Sequence, residues 1–139
     1  MHSPQEKFYP DIERLLQFLA EKDVDTAQHC IRVSWLSYKI AENMNIADIN
    51  LKNGIRNAAA VHDIGKIKID TALLRKEKLS HEEYELIKTH TIFDSKEYFN
   101  IALPDICKEV ISQHHERENG SGYPRGLKSE EITLAAKIC

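Results

Sequence analysis

The sequence contains no stretch approaching the roughly 18 consecutive apolar residues that cross a bilayer, and residues 1–7 contain no apolar segment typical of a signal peptide. We therefore expect a soluble, cytoplasmic protein that does not associate with membranes. The chain also lacks an excess of basic residues, because 22 acidic residues outnumber 19 basic ones and the formal net charge is -3. Long nucleic acid normally requires a strongly basic face, so we exclude it as a partner.

Cysteines are few and widely spaced, since the chain has only Cys30, Cys107 and Cys139. An odd number of distant cysteines favours reduced intracellular thiols with structural roles over disulfides or a zinc knot. The chain of 139 residues, 42% of them hydrophobic, is long enough for one packed core and too short for two ordinary domains. Because internal repeats, low-complexity stretches and linkers are absent, we predict a single domain over residues 1–139.

Apolar residues recur mostly at helical spacing, and the alternating pattern of strands is missing. The first two helical sets are Ile12, Leu15, Leu16 and Leu19, and then Ile31, Val33, Trp35, Leu36 and Ile40. A third helix is predicted from Asp48 to a turn between His62 and Gly65, and the segment from Thr71 to Leu74 predicts a short helical turn. These patterns predict an all-α fold.

A capping box opens the next predicted helix. Ser80 is followed three residues later by Glu83, which is the spacing of reciprocal side-chain and backbone hydrogen bonds at a helix start. We predict a long helix from this point that carries His90 and continues to Phe93 or Asp94.

Two further helices are predicted towards the end of the chain. Pro104 suits the first turn of a helix that ends near His114, and a last helix opens at Ser129 with acidic residues in its first turn. This helix stops at Cys139 without a glycine, a basic last turn or a polar tail. We therefore expect the front part of a longer chain, without its C-terminal helices.

The pair His62-Asp63 stands at the predicted end of the third helix. Neighbouring positions on a helix end point about 100° apart, so both side chains can approach one metal centre from two sides. Lys66 lies one turn beyond His62, where its ammonium can hold a phosphate oxygen or a metal-coordinated water without competing as a ligand. The alternative for Lys66 is a solvated surface lysine.

Asp25, His29 and Arg32 have the spacing that places a carboxylate, an imidazole and a guanidinium on one face of the second helix. Judged alone, this set is explained equally well by chance, because polar helix faces often contain such residues. His90 is likewise a lone histidine in a polar stretch, and by itself it reads as a surface or capping residue.

A second cluster combines two adjacent histidines with a carboxylate in His114-His115-Glu116. Adjacent histidines are rarely needed for packing, and two such clusters suit two divalent ions that share a bridging carboxylate. Residues 119–126, called the glycine loop below, follow this cluster and contain Gly122-Tyr123-Pro124. The alternative for the glycine loop is a plain turn between helices.

Taken in order, these motifs closely resemble the HD-GYP branch of the HD metal-dependent phosphohydrolases. The matching set is His29, His62-Asp63-Ile64-Gly65-Lys66, His90, His114-His115-Glu116-Arg117 and the glycine loop. The resemblance extends from about Asp23 to Cys139. A His-Asp pair alone is a weak signal, whereas the ordered set of separated motifs is specific.

The resemblance implies a compact α-helical HD-domain bundle that hydrolyses the bacterial second messenger cyclic di-GMP. It further implies a centre of two or three divalent ions, iron or manganese. The metal ligands that it implies are His29, His62, Asp63, His90, His114 and His115. Asp63 would be the bridging catalytic carboxylate, and Lys66 would contact the scissile phosphate or the activated water.

The resemblance also suggests substrate-binding residues around the glycine loop. Gly122 would let the backbone approach a ligand closely, and Tyr123 offers a ring on which a guanine can stack. Arg117 and Arg125 would supply cations for phosphate.

Asp25 precedes the first histidine by four residues, where members with three ions place a carboxylate, so the resemblance extends the ligand set to a third ion at Asp25. Aspartate is one methylene shorter than the glutamate usual there.

Asp70, Asp94 and Asn119 depart from the proline, glycine and aspartate common in the family, and none of them replaces a metal ligand. A later aspartate ligand of the family would lie a few residues beyond Cys139.

Three functions stay open on the sequence alone. The leading one is a phosphodiesterase for a cyclic dinucleotide, or an HD phosphohydrolase of different nucleotide specificity. The second is a catalytically inactive signalling module that binds a nucleotide, or a protein partner through Gly122-Tyr123-Pro124. The third is a helical domain with vestigial histidines. A homodimer and a fused sensor domain are also left open.

Overall fold

The computed structural model describes residues 7–139, and it is helical. Eight α-helices occur in this range: α1 (Pro10–Lys22), α2 (Val24–Asn43), α3 (Ile49–Ala60), α4 (Thr71–Leu74), α5 (His81–Lys88), α6 (Ser95–Phe99), α7 (Asp105–Gln113) and α8 (Leu134–Ile138). Three 3₁₀ turns lie at Ile64–Lys68, Thr89–Thr91 and Ser129–Glu131. The only β-type pairing among the described residues is an isolated bridge between Asn119 and Lys128. The all-α prediction is confirmed.

The core forms around α3, which packs against α2 and α7, while α1 packs against α2. The four apolar residues predicted for α1 are all buried: Ile12, Leu15, Leu16 and Leu19. The C-terminal part of α3 contributes Ala58, Ala59 and Ala60, all fully buried. Because the distance between packed helices depends on the side chains at the contact, these small residues let the neighbouring helices approach closely.

The helix α2 is confirmed, but the apolar residues that predict it do not form its buried face. Trp35 is 57% exposed, and Ile31, Leu36 and Ile40 are exposed as well. The buried residues of α2 are Ala27, Cys30, Ser34, Ser37, Tyr38 and Ala41. Most of these side chains are small, which suits close packing against α3. Size rather than hydrophobicity therefore selects the inner face.

The predicted helix starts are confirmed at two capping residues. The Asp48 side chain accepts hydrogen bonds from the backbone N–H groups of Asn50 and Leu51 at the start of α3. Ser80 and Glu83 form the reciprocal capping box at the start of α5. Both caps satisfy backbone donors that the first helical turn leaves without partners.

The prediction of one long helix from Ser80 to Phe93 or Asp94 is wrong. The helix α5 ends at Lys88, and the chain continues as a 3₁₀ turn before α6 begins after Asp94. The hydroxyls of Thr89 and Thr91 donate hydrogen bonds to the carbonyls of Leu86 and Lys88, which compete with continued helix formation. The Asp94 side chain then caps α6 by accepting from the backbone N–H of Lys96.

The last predicted helix is also divided. A 3₁₀ turn at Ser129–Glu131 is separated from α8 by Ile132 and Thr133, and the Thr133 hydroxyl caps α8. The backbone N–H of Thr133 donates to Oε1 of Gln113, which joins the break to the end of α7. Pro104 is likewise the residue before α7 rather than part of its first turn.

No helix among residues 7–139 is both long and apolar enough to cross a bilayer. The first six residues, on which the prediction about a signal peptide largely rests, lie outside the described residues. All three cysteines are free thiols, with Cys30 and Cys107 buried and Cys139 half-buried, as predicted.

Candidate metal centre

Four segments of the fold bring their side chains to one point. They carry His62 and Asp63 after α3, His90 in the second 3₁₀ turn, His114 and His115 after α7, and His29 on α2. Gly65 is essential for this approach, because a Cβ atom at this position would lie 1.9 Å from the backbone oxygen of His90. A residue with a side chain would push the two segments apart.

Asp63 lies at the centre of the histidines, and its side chain is only 4% exposed. Its Oδ1 is 3.2 Å from Nε2 of His90 and 3.4 Å from Nε2 of His114. Its Oδ2 is 3.3 Å from Nε2 of His62 and 3.9 Å from Nε2 of His29. Since the two oxygens face different imidazoles, the carboxylate is placed to bridge two cations.

Main-chain carbonyls orient three of these imidazoles. Nδ1 lies 2.7 Å from the Ala59 oxygen in His62, 2.7 Å from the Ile87 oxygen in His90, and 3.0 Å from both the Val110 and the Ile111 oxygens in His114. A carbonyl can only accept, so Nδ1 carries a proton in each ring and Nε2 is the atom that faces the centre. Metal-binding histidines are commonly oriented in this way.

The arrangement leaves lone pairs opposed inside the protein. Nε2 of His90 is 3.2 Å from Nε2 of His114, and in the tautomers with the proton on Nδ1 neither Nε2 donates to the other. Oδ1 of Asp63 is buried and, within the described part of the chain, accepts no hydrogen bond. Buried lone pairs without a donor are costly, and a cation between them removes that cost. The donor set therefore fits a metal ion.

Burial keeps several of these imidazoles neutral. It lowers the pKa of His29 and of His114, and neighbouring imidazoles add to the effect. Burial and the nearby His114 lower the pKa of His115 to about 3. A neutral imidazole at neutral pH has a lone pair available for a metal.

The pKa values of Asp63 and His62 shift in the direction opposite to the effect of burial. Burial would raise the pKa of Asp63, but its contacts with the imidazoles of His114, His62 and His90 outweigh burial and hold the pKa well below its usual range. Burial would lower the pKa of His62, but hydrogen bonds to Asp63 and Cys30 raise it well above 6.5. A metal cation on Nε2 of His62 takes the place of this proton.

The ligand atoms fall into two groups that share Asp63. The inner group is Asp63, His90, His114 and His115, and the outer group is His29, His62 and Asp63. Within each group all ligand atoms lie within 4.8 Å of one another. Two atoms that are each about 2.1 Å from one ion are at most about 4.2 Å apart, so a slight contraction is sufficient. Imidazoles combined with a carboxylate suit iron, manganese or zinc.

A cavity of about 350 Å³ opens beside the outer group. It is lined by Asp23, Asp25, Thr26, His29, Asp63, Lys66, Leu74 and Arg75. Asp25 belongs to neither group of ligand atoms, although it lines this cavity. Arg75, whose guanidinium lies 3.6 Å from Oδ1 of Asp23, was missed by the sequence analysis. A single arginine after a short helical turn gives no sequence signal.

A second cavity of about 370 Å³ adjoins the inner group. Its lining residues are Lys66, Tyr84, Ile87, His90, His115, Arg117, Ser121, Gly122 and Tyr123. Three of the expected substrate-binding residues, Arg117, Gly122 and Tyr123, are therefore beside the histidines. Lys66 lines both cavities, and its Nζ lies 2.8 Å from Oδ2 of Asp63, which favours a site residue over a solvated surface lysine. Tyr84 was not anticipated.

Two residues near the glycine loop differ from the sequence-based expectation. Arg125 is exposed and lines a separate cavity of about 640 Å³, together with Pro124, so the structure does not bring it to the histidines. Glu116 adjoins the two histidines in the sequence, but it belongs to neither group of ligand atoms. Its two oxygens accept hydrogen bonds from the backbone N–H groups of Arg125, at 2.7 Å, and Leu127, at 2.9 Å.

Comparisons with known proteins agree with this geometry. The family described as HD domain matches residues 13–139. A cyclic di-GMP phosphodiesterase of Thermotoga maritima is 41% identical over 137 residues, covering 96% of this chain and 37% of the relative. The 3'3'-cGAMP-specific phosphodiesterase 3 of Vibrio cholerae is 32% identical over 114 residues, covering 81% of this chain and 25% of the relative.

A solved structure has the same fold. It is a HDG"Y"P protein from Bdellovibrio bacteriovorus, which superposes with a TM-score of 0.69 at 26% sequence identity and covers 81% of this chain. The match spans 37% of that protein. This chain thus spans between a quarter and little more than a third of the length of these three proteins.

Proposed function

We propose that this chain is a metal-dependent phosphodiesterase for a cyclic dinucleotide. The chain belongs to the HD domain family and to its HD-GYP branch. Cyclic di-GMP is the preferred substrate in this proposal, and the metals are two or three divalent ions, iron or manganese. The observation that carries the proposal is the convergence of imidazole lone pairs on both oxygens of the buried Asp63.

The shape of the surroundings supports a substrate with two similar halves. Cavities of about 350 and 370 Å³ share Lys66 in their linings, and His29 and Asp63 line the first while His90 and His115 line the second. In a cyclic dinucleotide two phosphodiester links join two nucleosides into one ring, so each base can occupy one cavity. In the second cavity Tyr84 and Tyr123 offer aromatic rings to a base.

Each residue of the centre has a defined task. When bound, divalent ions supply Lewis acidity to the phosphoryl oxygens and lower the pKa of water to near neutrality. Asp63 keeps the two groups of imidazoles at a fixed separation. His90 and His114 need no reorientation, because their Nδ1 atoms are already bonded to carbonyls. Lys66 moves its ammonium from Asp63 to a phosphate oxygen.

The first cavity supports a further ligand position in this proposal. Asp25 lines it together with Asp23, His29 and Asp63. We assign Asp25 to a third divalent ion, held on the outer side of the centre. Arg117, on the opposite side, binds the phosphate that is not cleaved.

The relative from Vibrio cholerae supports a second candidate substrate within the same chemical class. It is described as specific for 3'3'-cGAMP, and it is 32% identical to this chain. The molecule 3'3'-cGAMP has an adenine in place of one guanine of cyclic di-GMP, and it has the same two phosphates. A parallel assay of both nucleotides separates these two candidates.

The test begins with the metal content of the purified protein and continues with nucleotide turnover. We expect iron or manganese to be bound and cyclic di-GMP to be hydrolysed, and we expect His62→Ala to abolish hydrolysis and to remove the outer ion. His81→Ala is the matched control, because this histidine is exposed and outside both ligand groups. Metal-loaded protein that binds the nucleotide without turnover would identify an inactive binding module instead. Absence of bound metal would identify the histidines as vestigial.

A further inference from the structure

His115 differs from the other ligands of the inner group in how its ring is oriented. His90 and His114 are each fixed by a hydrogen bond from Nδ1 to a carbonyl. Within residues 7–139, the imidazole of His115 makes no such bond. Its ring instead lies against Tyr123, with the ring centroids 4.8 Å apart and the planes at 16°. The His115 ring also lies near the rings of His114, at 4.3 Å, and His90, at 5.1 Å, but only the Tyr123 ring is nearly parallel to it and covers its face.

The glycine loop returns to the backbone of His115 as well as to its ring. The backbone N–H of Tyr123 donates to the His115 oxygen at 3.3 Å. Gly122 packs so closely that a Cβ atom would lie 2.4 Å from that same oxygen. A side chain at position 122 would therefore lift the loop, and Tyr123 with it, away from His115.

Glu116 fastens the other end of the loop. Its carboxylate accepts hydrogen bonds from two backbone N–H groups, those of Arg125 and Leu127. Hydrogen bonds to a charged acceptor are stronger than neutral ones, and two of them on one carboxylate fix the path of the chain. Because Glu116 follows His115 directly in the sequence, the chain leaves the metal centre and is tied back to it within a few residues.

We propose that Tyr123 is a positioning residue for the metal ligand His115, and that Glu116 holds the glycine loop in the conformation that this task requires. The inference rests on the proposed metal centre, and it assigns Tyr123 a task that is separate from contact with a nucleotide base. The loop then acts as the support of the inner metal site. The carboxylate of Glu116 supports His115 through the backbone of the glycine loop and does not bind the ion.

The test measures the affinity of the metal-free protein for Mn²⁺ by isothermal titration calorimetry. We expect Tyr123→Ala to weaken binding about tenfold, since partners that orient metal ligands are typically worth about 10- to 100-fold in affinity. Tyr123→Phe should retain affinity close to that of the wild type, because stacking needs the ring and not the hydroxyl. Glu116→Gln should lie between these two variants.

Three further variants separate positioning from general destabilisation. Glu118→Gln is the matched control for Glu116→Gln, because Glu118 is an exposed carboxylate of the same segment that pairs with Lys137 at 3.6 Å, and it should leave Mn²⁺ binding unchanged. His115→Ala should weaken binding at least as strongly as Tyr123→Ala. Adding Tyr123→Ala to His115→Ala should cause no further loss, since the ring then has no ligand to position.

Several outcomes would overturn the inference. Wild-type affinity in a folded Tyr123→Ala protein would do so, as would equal losses in Tyr123→Phe and Tyr123→Ala, or additive losses in the double variant. If His115→Ala weakens binding and Tyr123→Ala does not, only the positioning role fails. If the wild type binds no Mn²⁺, the proposed phosphodiesterase centre fails as well.

Discussion

The two ligand groups around Asp63 are held very differently. In the inner group, the side chains of His90 and His114 are 1% and 5% exposed, and a carbonyl fixes each ring. In the outer group, His29 is 49% exposed and its Nε2 lies 3.9 Å from Asp63. The outer group therefore combines the buried His62 with a ligand that is open to solvent, whereas His90 and His114 of the inner group are both buried and fixed.

This difference predicts that the two metal positions differ in affinity and in how readily they exchange their ion. A site whose ligands are already oriented loses little conformational freedom on binding, so the inner group should bind its ion more tightly. A more exposed site exchanges its ion and admits water or substrate more readily. The outer position, beside a cavity that contains Asp25 and Arg75, is therefore the more adjustable one.

The carboxylate shared by both halves is the position where a change should have the largest effect. Asp63→Asn keeps the shape of the side chain and removes the charge that faces both groups, so both ions should be lost. We expect turnover of cyclic di-GMP to fall at least about 100- to 1,000-fold, the usual effect of removing one group that stabilises developing charge. Elemental analysis and the turnover assay measure this, with the exposed Asp94→Asn as control. Retention of one ion would show that the halves are independent.

The second prediction tests the asymmetry directly. His114→Ala should remove the inner ion and weaken overall metal affinity about 100-fold, whereas His29→Ala should weaken it only about tenfold and leave the inner ion bound. Calorimetric titration of each metal-free variant with Mn²⁺ gives both the stoichiometry and the affinity. Equal losses, or a larger loss in His29→Ala, would contradict the comparison.

The third prediction concerns the effect of pH on the metal-free protein. The folded-state pKa of His115 is about 3, below the value of 6.5 for an ordinary histidine, so the folded protein binds fewer protons between these pH values. This histidine therefore makes the free energy of unfolding decrease as the pH falls through that window. His115→Ala removes this contribution, and urea unfolding should show a shallower decrease with pH. Parallel pH profiles of the two proteins would contradict the assignment.

The smallest expected effect lies at the start of α2, which carries His29. The side chain of Asp23 caps this helix by accepting from the backbone N–H of Asp25 and from the hydroxyl of Thr26. Asp23→Ala should lower the free energy of unfolding by about 1 kcal/mol and slightly weaken the outer ion. Asp94→Ala removes the cap of α6 at a similar cost and should leave metal binding unchanged. A matching change in metal affinity there would point to a general effect of stability.

Local features of the fold were predictable from the sequence, and non-local ones were not. The starts of α3 and α5 were predicted correctly, because Asp48, Ser80 and Glu83 act on their own first turns. The break after Lys88 was missed, since it depends on threonine hydroxyls that bond to the backbone and on the close approach of Gly65. Helical periodicity does not reveal such competition.

The metal ligands could be predicted as one set because the resemblance to a known family grouped these separated residues in one site. Nothing in the local sequence connects His29 with His90, which face opposite oxygens of Asp63 only because the fold brings α2 and the second 3₁₀ turn to the end of α3. The direction of Arg125 and the task of Glu116 depend on the path of the glycine loop. Residue types and spacing cannot specify that path.

The carbonyls that orient His62, His90 and His114 belong to the last turns of α3, α5 and α7. Backbone oxygens in the last turn of a helix have no partner within that helix, and together they form the negative end of the helix dipole. The imidazoles thus serve as C-terminal caps. The negative ends of the three helix dipoles therefore favour a cation bound by these imidazoles. Terminating these helices and building the cation site are accomplished by the same three side chains.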